Sequence, residues 1–523
     1  MVLLKCTFLL VLICHFAEPA NILGIFPTPA ASHFTLGFRL MKELADRGHN
    51  VTVVNPFPQK EPISNYTDVS VETMANVLAG FKKDFYDRES MSFRRSVKFL
   101  HNMAYELTHA LLAHENFQSL LKSETKFDVI IAEYFMNEAL LGVGHIFNAP
   151  VVLFSTLPSS ALTNHLFANP APSSYVPYIL SSYTGKMDLW QRLSNLAYNA
   201  YDTLYKQYHM LPLHDALLKR YISEKLNIEE VKSNASLMLL NSHPSVSEPV
   251  PHTPNMIEIG GFHISPPKNL SLELKTFMDD AEDGVVVFSM GSNLKSSDLS
   301  ENKRIAIAKA FSRIKQRVLW KFEDEDFPGL TENVKIVKWL PQQDILRHSN
   351  TKAFITHGGM LSSIEAVYFG VPVIGIPIYG DQKMNIAKAV QSGYAVSIPF
   401  NELDEENLLS ALNVVVYEEK YAKQAKFLSQ AINNQPMNPL DLAVFWVESV
   451  ISLKGAPYLK SPGVELKWYQ ISMLDLIIIL TLADIILFLI FYYIIKHIIH
   501  YIIKRIRNSP SKKYERLGKN AKK

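Results

Sequence analysis

WLPQQDILRHSNTKAFITHGGMLSSIEAVYFGVPVIGIPIYGDQ, residues Trp339 to Gln382, alternates short apolar runs with a glycine turn and a helix-length segment. Ala353 to Ile355 is a short apolar strand, Thr356-His357-Gly358-Gly359 breaks it, Met360 to Phe369 has helical spacing, and Val371 to Ile376 is another strand. A strand, a glycine turn, a helix and a second strand make one unit of a parallel α/β sheet. At such a turn, free backbone N–H groups and the positive end of the helix dipole face outward together, which suits a pyrophosphate.

The residues around that turn each have work to do on a nucleotide sugar. Trp339 offers a flat apolar face for a uracil ring, and Gln342 can both donate to and accept from a base edge. His357, Gly359 and Ser362 sit where a diphosphate would lie, Glu365 can accept from ribose hydroxyls, and Asp381 and Gln382 can hold sugar hydroxyls. Upstream, the strand Gly284 to Ser289 runs into Met290-Gly291-Ser292, a small turn whose end brings a hydroxyl to phosphate. Singly these readings are bland, because a lone Trp is more often core and His-Gly-Gly arises by chance. Their joint order and spacing carries the signal.

The run resembles the signature of the UDP-glycosyltransferases, the superfamily that includes membrane-bound UDP-glucuronosyltransferases, and the similarity extends over nearly the whole chain. The resemblance implies a GT-B fold: two Rossmann-like α/β domains facing across a cleft, with UDP-sugar on the C-terminal one and acceptor on the N-terminal one. By the same resemblance Ser292, Trp339, Gln342, His357, Glu365, Asp381 and Gln382 match donor-binding positions. Two positions depart from the pattern. Leu361 stands where many relatives have Asn four residues after the motif His, and Glu133 stands where many vertebrate members have an Asp. The pattern is closest to insect members.

At the N-terminal end, residues 1–20 read as a signal peptide: Lys5, an apolar stretch from Phe8 to Phe16, then small residues near Ala17 and Ala20. Near the other end, Leu476 to Ile495 is almost uninterrupted apolar sequence, long enough to cross a hydrocarbon core of about 30 Å as a helix. Asp484 inside it costs on the order of 3 kcal/mol if central, offset by its Leu and Ile neighbours. From Lys496 onward ten Lys or Arg face one Glu, a net of +9, so the remainder sums to −7 to give the chain's +2. Basic flanks stay cytosolic, which predicts a single-pass type I protein with lumenal domains and a membrane-lipid partner. The resemblance implies the endoplasmic reticulum membrane. The final Lys519-Asn520-Ala521-Lys522-Lys523 only approximates a dilysine retrieval pattern. Both cysteines, Cys6 and Cys14, fall in the leader, so a processed chain would hold no disulfide, thiolate nucleophile or cysteine metal site. Sequons at Asn50, Asn65, Asn234 and Asn269 suit the lumen, with Asn50 the least favourable because a strand follows it.

The N-terminal half opens as βαβ: strand Ile22 to Phe26, helix His33 to Arg47 with Phe34, Phe38, Met41 and Ala45 on one face, and strand Val51 to Val54. Its first turn, Pro27 to Ser32, lacks the glycines of a dinucleotide fingerprint, which disfavours hydride transfer. Val129 to Ala132 and Val151 to Phe154 are further buried strands, and Met187 to Leu226 is aromatic-rich and helical, reading equally as acceptor-side, membrane-touching or core helices. Pro266-Pro267 marks the boundary between an acceptor domain, 21–265, and a donor domain, 266–455. Within the latter, Val318 to Phe322 and Val334 to Val337 continue the sheet, and a helix over about Pro436 to Ser452 crosses back in this fold. A linker, 456–475, a transmembrane helix, 476–495, and a basic cytosolic tail, 496–523, complete the chain.

Moving a sugar to a hydroxyl needs a general base. His33, just after the first strand, reaches the cleft end of the sheet, and imidazole has a reference pKa of about 6.5. The family match at Ser32-His33-Phe34 supports that role. Glu133 would orient His33 and stabilise the imidazolium, with Glu138 a rival. The resemblance implies inversion at the anomeric carbon. Asp324-Glu325-Asp326 mimics a metal-binding motif of another transferase fold, but it lies in a charge run ending at Pro328-Gly329 and reads as a solvated loop. No cofactor or metal is expected beyond the donor substrate, UDP-glucose first and UDP-glucuronate second. The acceptor expected is a small lipophilic molecule with a hydroxyl, as in detoxification, pigment or hormone conjugation. No nucleic-acid partner is expected, and a homo-oligomer is left open. A catalytically weak UDP-sugar-binding membrane protein of the same fold, or a UDP-sugar epimerase, competes; intact His33 and Asp381-Gln382 argue against the first, the membrane tether and long donor signature against the second.

Overall fold

The computed structural model describes residues 19–508 except 83–85, 233, 325, 326, 328 and 329. Most of the expected leader with Cys6 and Cys14, Glu325 and Asp326 of the charge run, and the tail past Asn508 lie outside the described residues. Residues up to Ser461 form one compact unit, and Pro462 onward a second.

Two parallel sheets organise the first unit. Strands β1 (Asn21–Ile25), β2 (Asn50–Asn55), β3 (Tyr66–Ser70), β4 (Val129–Glu133), β5 (Val151–Ser155), β6 (Ala235–Leu240) and β7 (Met256–Glu258) lie in the order 3-2-1-4-5-6-7. Runs such as VVLFS in β5 are buried at every position, as a sheet covered on both faces requires. Between β1 and β2 runs helix α1 (Ala31–Asp46), which buries Phe34, Leu40, Met41, Leu44 and Ala45 on that sheet. Phe38 is half-buried against the same cluster. Helices α2 (Phe93–Ala113) and α3 (Leu189–Tyr205) belong to this half. The region read as helical from Met187 to Leu226 is α3, a π-helical turn at Lys206–Met210, and a helix at Leu211–Tyr221.

The second sheet repeats the plan. Strands β8 (Val285–Ser289), β9 (Arg317–Lys321), β10 (Val334–Val337), β11 (Thr351–Thr356), β12 (Val373–Gly375) and β13 (Ala395–Ser397) lie in the order 10-9-8-11-12-13. Helices α4 (Gln342–Arg347), α5 (Met360–Phe369) and α6 (Gln382–Gln391) follow β10, β11 and β12. Pro266 and Pro267 lie exposed on the connection between the sheets. Helix α7 (Pro439–Ser452) returns to the first half, where Leu440, Val444, Val447 and Val450 are buried in one cluster with Ile22, Val51 and Val129.

In a doubly wound sheet, ligands bind beyond the carboxyl ends of the strands, where the strand order reverses. Those points are β1/β4 in one half and β8/β11 in the other, and both neighbours pair in register: Ile25 with Ala132, and Ser289 with Thr356.

In the second unit, helix α8 (Leu474–Arg507) has 34 residues, and its most apolar 18-residue window has a mean hydropathy of 2.8 and no buried residues. At 1.5 Å per residue it is about 50 Å long, more than a hydrocarbon core of about 30 Å requires. By length and composition it can cross a membrane. It extends beyond the expected 476–495 because the helical hydrogen bonding continues through the Lys- and Arg-bearing turns that follow the apolar run.

Candidate active site

His33 stands in the first turn of α1, directly after the β1 turn, and its Nδ1 lies 2.5 Å from Oε1 of Glu133, the last residue of β4. The carboxylate is 1 % exposed and the imidazole 19 %. Thr28 N–H donates to the other carboxylate oxygen at 3.4 Å, and Phe135 meets the imidazole edge-on. Glu133 therefore engages Nδ1 and leaves Nε2 for the cavity that His33 lines. Glu138, the rival, belongs elsewhere: it accepts from Tyr134 at 2.9 Å, and although burial pushes its carboxyl up, the hydrogen bond from His165, with His214 and Lys206 nearby, holds it below the usual range.

The second half gathers its residues at β8/β11. The Ser289–Ser292 turn brings Gly291 and Ser292 to the cavity wall, and His357 follows β11. Gly291 has φ +91°, and a Cβ there would meet the His357 ring at 2.5 Å; at Gly359 a Cβ would lie 2.6 Å from His357 Nε2. The imidazole thus packs between two bare turns. Burial first, then the Lys321 ammonium, push its pKa down to about 4, so at neutral pH it is an uncharged ring able to donate one N–H. The first N–H groups of α5, beginning at Met360, have no acceptor within the helix and are available to phosphate.

Trp339 is 68 % exposed, its face open for stacking, with Lys321 Nζ 5.6 Å from the ring centroid. Gln342, Ser362 and Glu365 form one network: Gln342 Nε2 donates to Ser362 Oγ at 3.2 Å and to Glu365 Oε2 at 2.5 Å. Asp381 Oδ2 accepts from Asn385 at 2.6 Å. Burial pushes the Asp381 carboxyl above its ordinary value, opposed by the Asn385 bond and by His33 across the cavity. Gln382 Oε1 accepts from the N–H groups of Ile378 and Tyr379, which leaves its amide N–H₂ as the group free to donate. Leu361, in place of an amide, packs against the apolar cluster of the first half.

His33 of the first half and Gly291, Ser292, Trp339, Gln342, His357, Gly359, Ser362, Glu365, Asp381 and Gln382 of the second line one cavity of about 1010 Å³ that Glu133 does not reach. This is at the upper end of small-molecule sites. On the α2 and α3 side its wall is apolar and aromatic, with Phe93, Phe99, Met103, Leu162, Ile179 and Tyr198. The opposite side of α3 exposes Leu189, Trp190, Leu193 and Leu196, so that helix serves the cavity on one face only. The sequence reading missed a strap across the cleft: Tyr86 of the first half donates to Lys295 O at 2.8 Å and stacks on Phe400, while Lys383 donates to Glu89 O at 2.9 Å. It also missed Lys321, Gln343 and His263 on the cavity wall. Among the described residues no cluster of His, Cys, Asp and Glu has the form of a metal site.

Two doubly wound halves with chemical groups at both switch points define a GT-B glycosyltransferase architecture. Two solved structures share it over most of the chain: the glycotransferase of kitacinnamycin, with TM-score 0.54, 16 % identity and coverage of 84 % of this chain and 99 % of that one, and spinosyn forosaminyltransferase SpnP, with TM-score 0.55, 15 % identity and coverage of 83 % and 99 %. At that identity the likeness shows fold alone. Sequence adds the chemistry. The family described as UDP-glucoronosyl and UDP-glucosyl transferase matches residues 23–513. UDP-glucosyltransferase 2 of Dactylopius coccus is 37 % identical over 504 residues, covering 96 % of each chain. UDP-glucuronosyltransferase 2B17 of Mus musculus is 34 % identical over 459 residues, covering 84 % of this chain and 86 % of the mouse protein. The chain belongs to the UDP-glycosyltransferase family and is an enzyme of that class.

Proposed function

We propose that the enzyme transfers glucose from UDP-glucose to a hydroxyl of a small lipophilic acceptor, with inversion at the anomeric carbon. The observation that carries this reading is the His33–Glu133 pair, held at 2.5 Å at the end of one sheet and facing Asp381 of the other across a single cavity. Nε2 of His33 takes the acceptor proton as the acceptor oxygen attacks C1 of the sugar, and the bond from C1 to the phosphate oxygen breaks. Glu133 stabilises the imidazolium that forms. Negative charge building on UDP is met by the N–H groups at the start of α5 and by the neutral His357, an electrostatic contribution of several kcal/mol. Uracil stacks on Trp339, ribose bonds Glu365, and Asp381 with Gln382 holds the hexose hydroxyls.

The apolar wall built by α2 and α3 supports a lipophilic acceptor, and the name of the Dactylopius coccus relative, UDP-glucosyltransferase 2, supports glucose over glucuronate. With α8 as a membrane anchor, the catalytic unit would face the lumen of the endoplasmic reticulum. The sequon asparagines, Asn50, Asn65, Asn234 and Asn269, are all exposed, in keeping with a glycoprotein. Purified full-length enzyme in nanodiscs, given labelled UDP-glucose or UDP-glucuronate with a phenol panel, tests the donor. Faster glucoside formation is the expected result, and a product formed only from UDP-glucuronate refutes the donor assignment.

A further inference from the structure

His263 lies on the connection that leaves the first sheet, and its side chain is fully buried against Glu365. Nε2 is 3.4 Å from Glu365 Oε1, and neither ring nitrogen has a hydrogen-bond partner. Gln343 ties the two together: its Nε2 donates to Glu365 Oε1 at 3.0 Å and to the His263 carbonyl at 3.4 Å, while its Oε1 accepts from Ser265 N–H at 3.0 Å. The other carboxylate oxygen takes the Gln342 amide. Each of these residues lines the donor side of the cavity.

We infer that His263 is a positioning residue that sets Glu365 for the ribose of the donor, and so contributes to selecting ribo- over deoxyribonucleotide sugars. An ionised carboxylate has about four lone-pair sites. Gln342 and Gln343 take two, and His263 stands beside a third. A buried imidazole with both nitrogens unpaired is costly, and a hydrogen bond from Nε2 to a charged partner removes the share of that cost that falls on Nε2. A shift of Glu365 by roughly half an ångström brings Nε2 to hydrogen-bond distance of about 2.8 Å. The ribose hydroxyls would hold the carboxylate in that place. His263 thus acts through Glu365 rather than on the substrate.

This inference rests on the UDP-sugar reading, and the experiment separates the two. Full-length enzyme is assayed with UDP-glucose and its 2′-deoxyuridine counterpart, with UDP and 2′-deoxy-UDP affinities measured in parallel. The amide nitrogen of Gln reaches roughly the place of Nε2, whereas that of Asn reaches only the place of Nδ1. The unsubstituted enzyme is expected to prefer the ribo donor by about 10- to 100-fold in kcat/KM. His263→Asn should raise donor KM about tenfold, leave acceptor KM and kcat within about twofold, and reduce the ribo preference below about threefold; His263→Gln should retain it. Retention of the full preference by His263→Asn, or its equal collapse in both variants, overturns the inference, as does absence of any ribo preference in the unsubstituted enzyme. Absence of UDP affinity in the unsubstituted enzyme overturns the functional reading itself.

Discussion

Glu133→Gln keeps the shape of the side chain and removes its charge, at a position 1 % exposed and 2.5 Å from the His33 ring. The loss is largest in the transition state, where His33 becomes an imidazolium. Two opposite charges centred about 4 Å apart, at an effective dielectric constant of about 20, attract by about 4 kcal/mol. An amide dipole restores part of that, so 2 to 4 kcal/mol, or roughly 30- to 10³-fold in kcat, is the expected cost. Solvent leaves little room for a smaller value, because the carboxylate is buried and its other contact, to Thr28 N–H, is long at 3.4 Å. The assay is steady-state transfer from UDP-glucose to a phenol, with UDP affinity measured by calorimetry on the same preparation. UDP affinity should stay within about threefold, since Glu133 does not line the cavity. In a cycle with His33→Ala, the second substitution should cost little more once the first is present, because the two act as a unit. A Glu133→Gln enzyme with kcat within threefold of the parent would refute the pairing.

Two further outcomes follow from the same geometry. Asp381→Ala should raise the donor KM by roughly 10- to 100-fold, the worth of hydrogen bonds to a charged group, while the affinity for UDP alone changes by less than about threefold; equal effects on both would show that Asp381 does not touch the sugar. His357 and His165 both have pKa values pushed down to about 4 by burial. Between pH 6.5 and about 4 the unfolded chain binds protons that the folded chain does not, so stability rises with pH across that window and is lost on acidification, by about 2 kcal/mol per histidine at pH 5. Urea unfolding at pH 7 and pH 5 checks this: His357→Asn should lose about 2 kcal/mol less than the parent, and an identical loss would contradict the burial of that ring.

The strand, turn and helix from Ala353 to Phe369 were legible because apolar runs, glycines and helical spacing are local properties. The same holds for β1, α1 and β2, and for α8, whose apolar length is visible without knowing what surrounds it. Trp320 and Trp339 show the limit of such reading. One is a fully buried residue of β9 and the other is 68 % exposed, and only the order of residues after Trp339 tells them apart. Glu133 and Glu138 could not be separated by sequence because five residues of chain hide a change of direction: the first ends β4, the second opens a 3-10 turn whose side chain meets Tyr134. His263, Gln343 and the Tyr86–Ser90 strap were invisible for a related reason. Their partners, Glu365, Phe400 and Lys383, lie from 22 to more than 290 residues away in the chain, and nothing in their own neighbourhoods announces the contact. Leu361 reads as a missing amide in sequence, whereas in the fold it contributes apolar packing to the opposite half.

Every role proposed above depends on UDP docking on the second sheet opposite an imidazole supplied by the first. Calorimetry with UDP on the unsubstituted enzyme and on His33→Ala, combined with transfer assays on both, tests it most directly. UDP affinities should agree within about threefold, and the transfer rate of the variant should be at least about 10²-fold lower. Parent-like turnover by His33→Ala, or no affinity of the unsubstituted enzyme for UDP, would contradict it.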